Sequence, residues 1–183
     1  MGKLYLITAP SGCGKTTVAR KLAEKGLWKE IVSTTTRKMR NGEEEGRDYH
    51  FIDTKTFIAK RDSGEFAEAV SYGSSFYGIE NGVIEKALNE GDAYAIVEYQ
   101  GFKQIRKKYP DSIGIFIWME KNYCLANMLL RGDSIEQAVN RIAKYDDEML
   151  DWTKYDYSVK NNHGEIEKTI EFIENIVKTE SAQ

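Results

Sequence analysis

The sequence predicts an α/β fold: a parallel sheet flanked by helices, interrupted once by an inserted lobe. Three observations predict it. Short apolar runs alternate with segments of helical periodicity along most of the chain. A glycine-rich loop joins the first apolar run to the first helical segment. The interval 33–80 breaks the alternation and is rich in Thr, Arg, Gly and Tyr.

The elements follow in order. A first strand is expected over 3–8, where Leu4-Tyr5-Leu6-Ile7 is apolar at successive positions, as a strand covered on both faces requires. A helix over 15–25 stops at Gly26, and Ile31-Val32 forms a second short strand. Inside the interval 33–80, Tyr49-His50-Phe51-Ile52 and Glu65-Phe66-Ala67-Glu68 are strand-like. A helix over 81–90 stops at Gly91 and leads to a strand over 93–97. A helix over 101–109, a strand over 113–118 and a helix over 122–130 capped by Asn122 come next. A long helix over 134–150 capped by Ser134, a strand over 157–159 and a helix over 165–178 complete the chain. The expected division is a core of 1–32 and 81–183, with a lid at about 122–145, and an inserted lobe of 33–80.

Composition limits the function. A chain of 183 residues forms one domain with subdomains and has room for a real core. A net charge of −3 argues against a nucleic-acid polymer held by bulk charge, so phosphate affinity has to come from local clusters. Only two cysteines occur, Cys13 and Cys124, without metal-ligand spacing, which points to a reducing cytoplasm. The first strand begins at once, leaving no room for a leader peptide, and no apolar run approaches membrane-spanning length. A monomer or homodimer is expected.

The loop Ala9-Pro10-Ser11-Gly12-Cys13-Gly14-Lys15-Thr16 carries the chemistry. Strand, glycine loop, Lys-Thr and helix is the setting of a P-loop, so the parallel sheet is of the P-loop NTPase type. Glycines let successive backbone N–H groups converge on a phosphate, and the helix N-terminus adds its positive dipole end. Lys15 reaches the β- and γ-phosphates of ATP and the Thr16 hydroxyl ligates Mg²⁺. Ala9 stands where such loops usually begin with glycine, at little cost if its φ is negative.

A second cluster follows. Arg37 and Arg40, three residues apart, form a fork around one phosphate, and Tyr49 offers a hydroxyl donor to it. Read alone, the charged run 37–47 is a solvated loop. His50, in Tyr-His-Phe, reads as a packed structural residue, and no Ser-His-Asp triad is available.

Taken together, seven segments resemble the guanylate kinases, in that family's order and over about the whole chain. They are Pro10-Ser11-Gly12-Cys13-Gly14-Lys15-Thr16, Thr35-Thr36-Arg37-Lys38-Met39-Arg40, Gly42-Glu43 through Asp48-Tyr49-His50-Phe51, Gly64-Glu65-Phe66-Ala67-Glu68, Tyr77-Gly78, Gln100-Gly101 and Tyr155-Asp156-Tyr157. The resemblance implies transfer of a phosphoryl group from ATP to GMP by a P-loop core, an inserted monophosphate-binding lobe and a mobile lid. It implies that Ser11, Gly12, Cys13, Gly14, Lys15, Thr16, Thr17 and Asn161 serve ATP, with Mg²⁺ at Thr16. It implies that Ser33, Arg37, Arg40, Tyr49 and Tyr77 hold the acceptor phosphate, that Glu68 reads the base, and that Ile79 and Glu98 lie beside the acceptor. Arg131 and Arg141 would contact the moving phosphoryl, within a lid shorter than the family's. On sequence alone, Arg141 also suits a surface ion pair with Glu136, Asp146 or Glu148.

A carboxylate accepts from both adjacent donors of guanine, whereas uracil or thymine would leave one acceptor facing it unpaired. Glu68 thus favours guanine. Two residues depart from the family. Ile79 replaces a Ser or Thr, with Ser74 and Ser75 as candidate substitutes, and Glu98 replaces an Asp. They raise the expectation of a preference moved toward dGMP or a deoxypyrimidine monophosphate such as dTMP or dUMP. Two further readings are a non-catalytic module that binds phosphopeptides through Arg37, Arg40 and Tyr49, and a P-loop kinase for a sugar phosphate. Retention of Gly14-Lys15-Thr16 opposes the first and Glu68 opposes the second.

Overall fold

A computed structural model describes residues 1–40 and 42–182. The chain divides into two compact units, Tyr5–Trp28 with Ile113–Gln183, and Met1–Leu4 with Lys29–Ser112. Parallel strands flanked by helices make the expected α/β class.

In the first of these units, β1 (Leu4–Thr8) is buried along its whole length. It runs parallel to β8 (Ile113–Trp118) in the register Tyr5↔Ile113 to Thr8↔Phe116. β8 in turn pairs in parallel with β9 (Tyr157–Lys160), from Ile115↔Tyr157 to Trp118↔Lys160. Helix α1 (Lys15–Glu24) buries Val18, Ala19 and Leu22, and Gly26 ends it at a φ of 75°. Helix α8 (Ile166–Ser181) buries Ile170, Ile173, Ile176 and Val177, a helical stripe that covers α1 and β9. Lys21–Glu167 and Lys25–Glu174 close the exposed edge of the α1–α8 contact.

Two expectations fail here. Helix α5 spans Lys121–Leu130 with Glu120 at its N-cap, so Asn122 lies inside the first turn. The carbonyl of Glu120 already accepts from the N–H groups of Tyr123 and Cys124, which moves the N-cap two residues earlier. The single helix over 134–150 is two: α6 (Ile135–Ile142) and α7 (Tyr145–Met149), followed by a 3₁₀ turn at Trp152–Lys154. The break lets Tyr145 turn inward, where its hydroxyl donates to the Met119 carbonyl at 2.6 Å. Ser134 caps α6 as expected, in a reciprocal capping box with Gln137.

In the second unit, β2 (Lys29–Glu30) pairs in parallel with β7 (Ala93–Ile96). It lies two residues before the expected Ile31-Val32, although the Ile31 N–H still bonds the Tyr94 carbonyl at 2.8 Å. A separate sheet has the order β4-β3-β6-β5. It comprises β3 (Thr34–Thr35), β4 (His50–Phe51), β5 (Phe66–Tyr72) and β6 (Ser75–Glu80). Helix α2 (Thr54–Asp62), capped by Asp53, lays the buried Phe57 on Phe66 and Phe76 with ring centroids 4.4 and 5.4 Å apart. Helices α3 (Asn81–Glu90) and α4 (Tyr99–Lys108) complete this unit, with Gly91 ending α3. Among the described residues, no helix is long and apolar enough to cross a membrane.

Candidate active site

The loop between β1 and α1 depends on two glycines. Gly12 and Gly14 have φ of 84° and 83°, in the left-handed region that side chains disfavour. A Cβ on Gly12 would lie 2.2 Å from the Cys124 carbonyl oxygen, and one on Gly14 would lie 2.7 Å from Asn161 Nδ2. No described residue other than glycine has a positive φ, so Ala9 enters the loop unstrained. Helix α1 opens with no acidic residue in its first turn and no side-chain cap. Its first N–H groups therefore suit an external anion.

Two side chains hold the loop from behind, and a third supports one of them. Asn161, 3% exposed, donates to the Cys13 carbonyl at 3.0 Å and accepts from the Thr169 hydroxyl at 3.0 Å. Asn161 thus braces the loop through both ends of its amide. Asn127 of α5 donates to the Gly12 carbonyl at 2.9 Å. Neither Asn127 nor Thr169 was legible in the sequence, because only the fold brings Asn127 against Gly12, 115 positions away, and turns the Thr169 hydroxyl onto Asn161. Lys15 reaches back over the loop, its ammonium 3.4 Å from the Ala9 carbonyl. Thr16 and Thr17 are exposed and Ser11 is half-buried.

The lid arginines share one acid. Arg131 donates Nε and Nη2 to the two Asp133 oxygens at 3.0 and 2.7 Å. Arg141 lies 3.6 Å from the same carboxylate. The pairing expected with Glu136, Asp146 or Glu148 is therefore replaced by Asp133. Asp146 instead takes Lys121.

In the other unit, the charged run is ordered rather than solvated at its key residue. The Arg37 guanidinium, 15% exposed, meets Glu43 through two bonds of 2.7 and 3.0 Å. The Glu43 carboxylate also accepts from the Arg40 backbone N–H at 2.8 Å. The Glu43 bonds raise the Arg37 pKa, and the same guanidinium holds the Glu43 carboxyl below the usual range. Arg37 lies over the Tyr49 ring, 5.3 Å from its centroid, and Tyr49 meets Tyr77 edge-on at 5.9 Å. Burial raises the Tyr49 pKa, so its hydroxyl stays a donor. Arg40 is exposed. Ser33 is half-buried, and its carbonyl accepts from the His50 N–H at 2.8 Å. His50 is not packed as expected, since its ring is half-exposed and hydrogen-bonded to Glu45 at 3.1 Å.

Glu68 lies beside an irregularity in the β5–β6 pairing, where Phe66↔Glu80 is followed by Glu68↔Ile79. Such a bulge re-aims a side chain. Glu68 is 5% exposed, and its Oε2 has no hydrogen-bond partner among the described residues. Burial pushes its carboxyl up to about 8. Helix α4 fixes the strand that carries it. Gln104 receives the Ala69 N–H at 3.1 Å, and Lys108 donates to the Phe66 carbonyl at 2.6 Å, on either side of Glu68. A Cβ on Gly101 would come within 3.0 Å of Glu68 Oε2. Glycine there leaves room for the carboxyl. Glu98 is the N-cap of α4.

Ile79 has no exposed surface and belongs to the packed interior. Ser74 and Ser75 lie at the opposite end of β6 from Ile79. Ser75 pairs with Tyr72 at the end of the hairpin, four positions from Ile79, or about 13 Å along the strand.

The parallel strands, the two left-handed glycines and the uncapped helix define a P-loop NTPase-type α/β protein. The family model for guanylate kinase matches residues 1–180, and the chain belongs to that family. Its relatives include the guanylate kinase of Methylobacillus flagellatus, 35% identical and covering 98% of this chain and 90% of that protein. The guanylate kinase of Legionella pneumophila is 37% identical over 96% of this chain and 85% of its own length. The crystal structure of guanylate kinase from Anaplasma phagocytophilum superposes with a TM-score of 0.79 at 27% identity, covering 100% of this chain and 87% of that one.

Proposed function

We propose that this protein transfers the γ-phosphoryl group of ATP to GMP or dGMP, giving ADP and GDP or dGDP. The observation that carries the base is Glu68 Oε2, a buried carboxylate oxygen with no partner of its own. Guanine brings N1–H and an exocyclic amine side by side, and an ionised Glu68 accepts both. The relatives' names support the same acceptor.

The loop Ser11 to Thr17 binds ATP, with Lys15 at the β- and γ-phosphates and Asn161 supporting the loop from behind. Among the described residues no cluster of His, Cys, Asp or Glu would hold a metal alone. The exposed Thr16 hydroxyl suits Mg²⁺, which takes one or two protein ligands and completes its shell from phosphate oxygens and water. When bound, Mg²⁺ supplies neutralising charge. Arg37, Arg40, Tyr49, Tyr77 and Ser33 hold the acceptor phosphate, with Glu98 and the Ile79 backbone beside the nucleotide. Arg131 and Arg141 exchange Asp133 for the moving phosphoryl. Positioning and charge supply most of the rate in such transfers, and closure over the phosphates excludes water as a competing acceptor. The lobe of 33–80 and a lid of about 122–145 are the parts that would move. The two free thiols fit a cytoplasmic protein.

Steady-state turnover with ATP and GMP, dGMP, dTMP or dUMP tests this. The expected order is GMP and dGMP above both pyrimidine nucleotides by orders of magnitude. Comparable turnover of dTMP or dUMP would overturn it, as would ATP hydrolysis that no acceptor changes.

A further inference from the structure

We infer that Cys13 and Cys124 form a redox-active pair, which a peroxide joins in a disulfide that ties the loop to α5 and suppresses turnover. The effect on turnover rests on reading the loop as the ATP cradle, whereas the bond itself does not.

The two sulfurs lie 3.0 Å apart with the thiols free, and neither residue has exposed surface. They are the two cysteines of the whole chain, separated by 111 positions. The backbones are also in contact, since a Cβ on Gly12 would come within 3.0 Å of the Cys124 Cα. Asn127, one turn further along α5, holds the Gly12 carbonyl. A disulfide needs about 2.05 Å between sulfurs, so closure requires a movement of about 1 Å within segments that already touch.

The chemistry balances without any further reagent. Across the 3.0 Å contact either thiol can donate to the other. Once Cys124 has lost its proton, its thiolate attacks one peroxide oxygen and the O–O bond breaks, leaving a sulfenic acid on Cys124 and a hydroxide that takes up the released proton as water. The Cys13 sulfur then attacks the Cys124 sulfur. The S–S bond forms, the S–O bond breaks, and the departing hydroxide takes the Cys13 proton as a second water. Two thiols lose two electrons and the peroxide gains them. Thiols without exposed surface react when the loop opens transiently, so oxidation is slow but, once begun, needs no second partner.

Cys13 sits between Gly12 and Gly14, and its carbonyl is held by Asn161. Drawing it by about 1 Å toward α5 shifts the N–H groups on either side. Misplacement of that size costs about 10²-fold in turnover.

The test treats the folded full-length protein with hydrogen peroxide, then alkylates it under denaturing conditions. Expected are an intact mass lower by two hydrogens with no alkylation, a loss of turnover of about 10²-fold, and recovery of both with dithiothreitol. Cys124→Ala is expected to keep basal turnover and to be insensitive to peroxide. If that variant does not fold, mass and thiol count on the unsubstituted chain still decide. Two alkylated thiols after peroxide, or a bond that leaves turnover unchanged, overturns the inference. A reduced protein inactive on GMP would overturn the proposed function instead, and the mass would still report the bond.

Discussion

Glu68 is a carboxyl group with little reason of its own to be buried. Its oxygen Oε2 has no partner and its pKa is pushed up to about 8 by burial alone. The sign follows from linkage. The folded state binds this proton more tightly than the unfolded chain, so it loses stability as pH rises from the ordinary carboxyl value of 4.5 toward 8. Glu68→Gln is therefore expected to raise Tm at pH 8 and to change it less at pH 5. The ligand runs the other way. Accepting two guanine donors requires the carboxylate, so GMP affinity should rise by up to about tenfold per pH unit between pH 6 and 8. Calorimetric titration over that range measures it, and the Gln variant should lose both the slope and the preference for guanine. Flat affinity in the unsubstituted protein would remove Glu68 as base reader. Glu43 acts through Arg37. Replacing it with Gln should raise KM for GMP about tenfold with kcat little changed, because an amide cannot receive the guanidinium fork as an ion pair. An unchanged KM would reduce the clamp to a surface contact.

Elements place these residues. The loop works because β1 and α1 are joined through two left-handed glycines, one pressed against α5 and the other against Asn161. Gly12→Ala should destabilise the protein by about 2 kcal/mol or more in urea unfolding. Left-handed backbone costs alanine about 1–2 kcal/mol, and the clash with Cys124 adds to it. Wild-type stability in that variant would mean that the loop is free to move away from α5. The strongly periodic elements were legible, such as the stripe of α8 and the apolar runs of β1 and β8. Helix α2 was not, because only Phe57 of its nine residues is buried and no stripe exists to read. β3 and β6 were missed for a related reason. β3 is two residues long, and β6 is recognisable as a strand through its partner β5. The split of 134–150 was invisible because its cause is Tyr145 finding a carbonyl in the β8–α5 connection.

At the scale of the molecule, the two candidate anion sites belong to different compact units. Each ligand should stabilise the protein through its own site, by about 2.7 kcal/mol at a hundredfold excess over Kd. Lys15→Ala should lose the ATP-dependent rise in Tm and keep most of the GMP-dependent one, and Arg37→Ala should do the reverse. Thermal scans with each ligand check this, and a variant that lost both responses would show the two sites to be inseparable. A net charge of −3 is compatible with this chemistry because the cations are local.

Sequence alone determined the glycine loop, the alternation of the strongly periodic strands and helices, the two arginines and the carboxylate meant for the base. These depend on local rules: which residues tolerate a left-handed backbone, which repeat at a strand or helix period, and which chemical groups face a phosphate or a purine edge. Tertiary structure alone decided that Glu43 holds Arg37, that Asp133 gathers both lid arginines, that Asn127 and Asn161 brace the loop, and that Cys13 meets Cys124. Half of these contacts join residues more than a hundred positions apart, and the nearer ones depend on where side chains point after packing. No local propensity records either.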